Sequence, residues 1–466
     1  MIRTTFARAN ARQKPREFSD LDTNKIFWFI VLHIVLALLI DNFRFAATVH
    51  ALLVFALGVW TALSSEDIRE VIPYVAYIAG AEVLWRMSKA SVFWEYGKYA
   101  TIAILILALI KNRKPLRQPG LPILYFLMFL PSIILTIDFL GWTDQAREFI
   151  SFNLSGPLAT AICLLFFLQI KMDESLMTKT VWAMIYPIIG ILTLAVYSTL
   201  TATAIEFGSE AVFVTSGGYG PNQVSAILGL GALLLIMKII QTPKKQGRFF
   251  SIFLILAFVI QSFLTFSRGG VYNLVIALAA ALVILLFKPT RFIKSFSVVF
   301  FLLLIIGYLV FPQIEELTSG AFSQRFQDIN PISRISIANE DMRLFYENPA
   351  FGVGPGMAYF TRVNKLFTSA HTEYTRTLAE HGILGIFALL FLVIQMGVAF
   401  LKAPGVIERA WIVALAGWSA VEMAHAAMRI VAISFLLGLA VVSWRHQEPE
   451  EVSQEKPVKK LGRFRQ

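Results

Sequence analysis

The sequence has 466 residues, of which 57% are hydrophobic and 15% charged. Soluble domains carry about a quarter charged residues, so a water-soluble globule of this composition is excluded and lipid is the expected solvent. The formal net charge is +11, but the basic residues sit in short segments between apolar runs and in tails, which excludes the continuous basic face that nucleic-acid binding needs.

In chain order, residues 1–24 come first, with Arg3, Arg8, Arg12, Lys14 and Arg16. They lack a short apolar core followed by a small-residue cleavage site and are expected to be a cytoplasmic tail. A spanning helix needs about 20 mostly apolar residues. Such runs fall near 24–40, 45–63, 70–86, 92–110, 121–140, 151–170, 181–204, 221–240, 249–266, 270–287, 296–312, 382–401, 409–425 and 428–444. The expected fold is all-α: a polytopic membrane bundle of about fourteen transmembrane helices, or about twelve if two weak runs are re-entrant. Residues 25–312 would hold helices 1–11, 313–380 a large loop with short helices, 381–444 the last three helices, and 445–466 a charged, disordered tail. The lone cysteine, Cys163, lies inside an apolar run and reads as a small packing residue.

Lys and Arg in short loops set orientation. Lys111, Arg113, Lys114 and Arg117 share one loop, Lys171 and Lys179 the next, then Lys244, Lys245 and Arg248, then Lys288, Arg291 and Lys294, and last the tail with Lys456, Lys459, Lys460, Arg463 and Arg465. The intervening loops are poor in both residues. Both termini are therefore expected in the cytoplasm. The 205–220 loop, the Ser267–Gly270 corner and the 313–380 loop then share the opposite side.

The outer segments carry the candidate chemistry. The 205–220 loop ends in Gly220-Pro221-Asn222-Gln223; Pro221 suits a first helical turn, and Asn222 would face the outer region. Arg268 sits between two apolar stretches, where an arginine costs at least about 2.5 kcal/mol on insertion scales. Either it snorkels from a helix end or it meets a phosphate, which its planar fork fits bidentately. In the long loop, Ile335, Ala338, Met342 and Phe345 recur at helical steps and predict an amphipathic helix on the membrane face, ended by Asn348-Pro349. Gly352, Gly354, Pro355 and Gly356 follow as a tight turn, serving turn geometry or letting backbone N–H groups approach an anion. Beyond it, His371, Tyr374 and Leu378 share one face if a helix starts there; His371 is either an interfacial hydrogen-bonding residue or a general base. Glu82 and Arg86 are spaced for an internal ion pair, and Glu422, His425 and Arg429 mark the last outer corner. No His/Cys/Asp cluster has metal-ligand spacing, and neither a phosphate-binding Gly-Lys-Ser/Thr loop nor a dinucleotide fingerprint occurs.

Three elements then stand in order on one side: Gly-Pro-Asn-Gln at 220–223, Thr-Phe-Ser-Arg-Gly-Gly at 265–270, and a loop from Ser333-Arg334 through Asn348-Pro349-Ala350-Phe351-Gly352 to His371-Thr372-Glu373-Tyr374 and Glu380-His381-Gly382. This set resembles the superfamily of O-antigen ligases and O-antigen polymerases, bacterial membrane glycosyltransferases, over roughly residues 200–400. The resemblance implies a GT-C-like helical fold in the inner membrane. It implies transfer of a glycan from undecaprenyl diphosphate to an acceptor hydroxyl, either another lipid-linked unit or lipid A-core, on the periplasmic side, with no cofactor and no metal. It implies His371 as general base and Arg268 as the diphosphate ligand. Arg334 and Arg325 become candidate phosphate or substrate contacts, and Tyr374 and Asn222 supporting residues. The sequence departs from the family in Thr372, where Asn is common, in Ala338, where Trp is common, and in having no arginine over 211–220, which favours polymerase over ligase. The alternative from the same features is a transporter of a lipid-linked sugar or an anion, although no related halves with broken helices stand out.

Overall fold

The computed structural model describes residues 23–113, 115–208, 210–242, 247–327, 332–362 and 372–445, with side chains in the 332–362 segment from residue 335 onward. The expected basic N-terminal tail and the charged C-terminal tail lie almost wholly outside the described residues.

The described chain is almost entirely helical, as an apolar chain in lipid must be, since helices satisfy their backbone groups within the segment. In order, the helices begin with α1 (Thr23–Asn42), α2 (Arg44–Ser64), α3 (Ile72–Met87), α4 (Tyr96–Asn112), α5 (Gly120–Leu127), α6 (Ile133–Leu140), α7 (Asp144–Phe167) and α8 (Glu174–Thr201). They continue with α9 (Pro221–Gln241), α10 (Arg248–Leu264), α11 (Arg268–Leu285), α12 (Pro289–Ile305), α13 (Phe311–Leu317), α14 (Ala321–Gln327), α15 (Ile332–Glu347) and α16 (Ala358–Thr361). The last are α17 (Glu373–Lys402), α18 (Val406–His425) and α19 (Val431–Ala440). A π-helical turn at Ile306–Val310 joins α12 to α13. The two-residue strands β1 (Lys171–Met172) and β2 (Ser443–Trp444) pair in parallel.

Among the described residues, eight helices are long and apolar enough to cross a membrane: α1, α2, α7, α8, α9, α11, the α12–α13 run and α17. The expected count of about fourteen is thus not reached on length and composition. The shortfall has physical causes. Helices α3, α4 and α10 have 16, 17 and 17 residues, which at about 1.5 Å per residue gives roughly 25 Å, just under the hydrocarbon thickness. Helix α19 has only 10 residues and continues as extended chain into β2. The run expected as one span at 121–140 is broken at Met128–Ser132, where Pro131 cannot donate to the ladder, and becomes α5 and α6.

Cross-chain hydrogen bonds sort into two ends. At one end Ser443 N–H donates to Ile170 and Arg445 N–H to Met172, Arg445 and Arg69 lie by Asp173, and Lys111 donates to Ser65. At the other end Arg86 reaches Gln223 and Arg429, and Arg376 reaches Asn153. The core between them is closed by α9, whose residues from Val224 to Met237 are all buried, and by the contacts of α11 with α18 and of α3 with α8.

Candidate functional site

Helix α9 begins with Pro221 in its first turn, as the sequence predicts, and its next two residues point to different neighbours. Asn222 Oδ1 accepts from Ser267 Oγ at 2.8 Å, and Gln223 Oε1 accepts from Arg86 Nη1 at 2.9 Å. Ser267 caps α11, which Arg268 opens. Arg268 Nη1 donates to the Arg325 carbonyl at 3.5 Å, and Arg325 Nε donates to the Phe266 carbonyl at 3.2 Å. The structure therefore brings three sequence candidates, Asn222, Arg268 and Arg325, to one corner. Behind Arg268, Gly269 lies flat against the His425 ring; a Cβ there would sit 2.4 Å from its Cε1. His425 Nε2 donates to Asn273 Oδ1 at 2.9 Å, and Asn273 Nδ2 donates to Glu422 Oε2 at 2.6 Å, which ties α11 to α18 at this corner.

Tyr374 is not at that corner. Its hydroxyl donates to the Ala420 carbonyl on α18 at 2.9 Å. His371 lies outside the described residues, as does the Arg334 side chain. Helix α17 begins at Glu373 with Thr372 as its cap, so the expected shared face holds Tyr374 and Leu378 within the helix and His371 before it.

A second polar cluster lines a narrow cleft with about 80 Å³ of free interior. Its walls come from α4, α7, the loop after Gly354, the start of α17 and the 427–429 turn. Arg376 is its centre: the guanidinium bonds Glu373, donates to Glu380 Oε2 at 2.7 Å and reaches Asn153 Oδ1 at 3.0 Å. Glu373 also accepts the Met428 N–H at 3.2 Å. Lys98 pairs with Glu95, and Ser155 Oγ donates to Glu95 Oε2 at 2.7 Å. Arg86 and Glu82 form the expected ion pair at 2.8 Å, and Glu82 also accepts the Val431 N–H that opens α19. Charged groups this deep persist only when paired and hydrogen-bonded. Sequence spacing alone could have singled out Glu373, Arg376 and Glu380, which are three and four apart on one helix face. Their partner Asn153 had no such signal.

The glycine turn serves α17. Val353 N–H donates to the Ala379 carbonyl at 2.9 Å and Gly354 N–H to the Glu380 carbonyl at 3.0 Å, while Ile383 N–H donates back to Pro349 at 2.8 Å. This docking fits a break in α17 at Gly382, whose φ of 59° and ψ of −139° suit glycine. The turn's other flank meets α6, where Thr136 Oγ1 donates to the Pro355 carbonyl at 3.0 Å, and His381 Nδ1 meets Ser132 Oγ at 2.6 Å in the α5–α6 break. These amide groups are occupied by backbone carbonyls, which decides for turn geometry over anion binding at Val353 and Gly354.

The expected helix forms as α15. Its buried face is Ile337, Asp341 and Leu344, whereas Ile335 is 52% exposed. The cause is electrostatic. Arg362 donates to Asp341 Oδ1 through Nε and Nη2 at 2.9 and 2.7 Å, and Thr375 donates to Oδ2 at 2.9 Å. Burial pushes the Asp341 carboxyl pKa up, while Arg362 and Thr375 pull against it. The buried charge pair holds this face inward against α17, and of the apolar stripe Ala338, Met342 and Phe345 are half-buried.

Residues 252–390 match the O-antigen ligase family. The chain is similar to the O-antigen ligase and polymerase superfamily over that stretch, as its motifs indicate. Among curated proteins none matches. The matched segment holds Arg268, Arg325, Arg334, His371 and Tyr374, together with the Glu373, Arg376 and Glu380 wall of the cleft. Asn222, Arg86, Lys98, Asn153 and Arg429 lie outside it, so the remainder of the chain contributes a large share of the polar end.

Proposed function

We propose that the protein transfers a glycan from a polyprenyl diphosphate to an acceptor hydroxyl at the outer face of a bacterial inner membrane, with both termini in the cytoplasm. The observation that carries this reading is the corner where Arg268 donates to the Arg325 carbonyl and Arg325 to the Phe266 carbonyl, both arginines lying in the segment similar to O-antigen ligases, with Asn222 bonded to the neighbouring Ser267. The planar fork of an arginine suits a diphosphate, which accepts bidentate hydrogen bonds. In the reaction the acceptor oxygen attacks the anomeric carbon, the bond to the diphosphate breaks, His371 takes the acceptor proton, and the arginines stabilise the charge that develops on the leaving group. Arg334 and Tyr374 would position substrate. The chain would need no metal in this scheme, and its polymerase form would use a second lipid-linked unit as acceptor.

The test is genetic. Arg268→Ala and His371→Ala, expressed in cells lacking the wild-type gene, should each abolish long-chain glycan while the protein still inserts. Full activity in both variants refutes the mechanism. The same gels separate two acceptors: single-repeat glycans mark a lost polymerase, and unsubstituted core with accumulated carrier-linked polymer marks a lost ligase. One observation favours a transporter instead, namely that α5–α6 and α17 are both broken and meet at Ser132 and His381. The glycine turn fills that gap, which argues for a static scaffold; substrate uptake in proteoliposomes without glycan transfer would reverse this preference.

A further inference from the structure

The cleft around Arg376 has a charge pattern unlike that of a phosphate site. Each cation lining it has a carboxylate: Arg376 has Glu373 and Glu380, Arg362 has Asp341, Lys98 has Glu95, and Arg429 lies within the field of Glu422 and Glu373. A wall in which cations and carboxylates are matched holds little net attraction for a diphosphate. It does hold fixed donors and acceptors at close spacing, in the Arg376 guanidinium, the Asn153 amide and the Glu373 and Glu380 carboxylates. Next to them stand the aromatic rings of Phe149, Phe152 and Tyr359. Vicinal hydroxyls suit paired polar groups of this kind, and the C–H face of a sugar ring suits an aromatic surface, the usual mixture in a small-molecule site.

We infer that this cleft binds a sugar ring of the glycan, and that α4 and α7 help to select which sugar. The inference rests on the glycosyltransferase reading and adds to it a second subsite with a different ligand chemistry. Phe149, Phe152 and Asn153 all lie on α7, outside the segment similar to O-antigen ligases, while Arg376, Glu373 and Glu380 lie inside it. The matched segment thus carries the Glu373, Arg376 and Glu380 array with Tyr359, and α7 adds the two phenylalanines and Asn153. The sugar belongs either to the donor or to the acceptor, and kinetics separate the two.

The test uses the purified full-length chain in detergent and has a binding arm and a transfer arm. In the first, thermal midpoints are measured with a panel of free hexoses, N-acetylhexosamines and inorganic diphosphate. At least one sugar should raise the wild-type midpoint, and Phe152→Ala and Asn153→Ala should lose that rise; Phe152 is 39% exposed, so its truncation leaves the fold intact. Phe152→Tyr should keep it. In the second arm, initial rates are measured against lipid-linked donor and against acceptor. The two alanine variants should raise one KM about tenfold with little change in kcat; a raised acceptor KM assigns the sugar to the acceptor, and a raised donor KM assigns it to the donor. The inference is overturned if sugar-dependent stabilisation survives in both variants, if only diphosphate stabilises through Phe152 and Asn153, or if kcat alone falls. A wild-type chain that binds sugar in the first arm but transfers nothing in the second overturns the proposed reaction and leaves the sugar subsite standing.

Discussion

Replacing Arg362 by Ala isolates the electrostatic anchor of the loop helix. The Arg362 side chain is 1% exposed and the Asp341 side chain is fully buried, so the pair is out of water on both sides. Among the described residues, Arg362→Ala removes two of the three hydrogen bonds that hold the Asp341 carboxylate, leaving the Thr375 hydroxyl. Breaking a buried pair by deleting one partner costs about 3–5 kcal/mol. The loss falls on the docking of α15 against α17, so local opening should rise about a hundredfold or more, read as the rate of protease cleavage within 332–362 under conditions where opening and closing are fast. The variant also predicts a pH trend. Burial already raises the Asp341 carboxyl, and without the guanidinium it rises further. A carboxyl whose folded value is raised favours the folded state when protonated, and that contribution is lost as pH rises through the folded value. The excess cleavage should therefore be smaller at mildly acidic pH than at alkaline pH. An Asp341→Leu/Arg362→Leu double variant should recover most of the protection. Cleavage of the single variant within about threefold of wild type at alkaline pH, or an effect independent of pH, would refute the argument.

Gly352→Ala should lower the thermal midpoint far more than Gly218→Ala. Both glycines have positive φ, 70° and 71°, so each alanine bears the left-handed penalty of about 1–2 kcal/mol. At Gly352 the new Cβ would also lie 2.4 Å from the Glu380 carbonyl carbon, which is backbone and cannot yield, whereas at Gly218 the space is open. Equal shifts would show that the glycine turn is not docked on α17. Glu82→Leu should destabilise by about 3–5 kcal/mol in a calorimetric melt, because Arg86 and the Val431 N–H both lose their buried acceptor. A melt unchanged from wild type would mean that Gln223 and the Trp94 and Arg429 carbonyls suffice to hold Arg86.

Much of this fold is legible in the sequence because lipid demands long apolar runs. The helices near 24–40, 45–63 and 221–240 stand where the runs predict them, and the Glu82–Arg86 pair follows from its spacing alone. The break at Pro131 was present in the sequence, yet hydropathy is blind to it, since both halves of 121–140 are equally apolar. The inward face of α15 was hidden for a related reason. Apolar periodicity marks the stripe at Ile335, Ala338, Met342 and Phe345, but the inward-facing Asp341 finds its cation at Arg362 on a separate segment. At the site, Asn222 and Arg268 were visible as polar residues at the ends of apolar runs, Arg325 entered only through the resemblance, and the structure joins the three. The Asn153–Arg376 contact spans 223 positions and leaves no local trace.

The break in α17 links the loop to the site. Gly382 ends the hydrogen-bond ladder of the first nine residues of that helix, Glu373–His381, and those residues carry the Glu373, Arg376 and Glu380 array. An isolated segment of nine residues is too short to hold a helix by its own ladder. What holds it is external: Thr372 caps its start, the glycine turn occupies the Ala379 and Glu380 carbonyls, Pro349 accepts from Ile383 across the break, and Ser132 meets His381. Three of those four supports come from outside α17. Arg362 and Asp341 then fasten the same loop to Thr375. The polar wall of the cleft and the loop beside it are therefore one mechanical unit. Opening the loop removes the supports of the segment that orients Arg376, so access to the cleft and its internal geometry cannot vary independently.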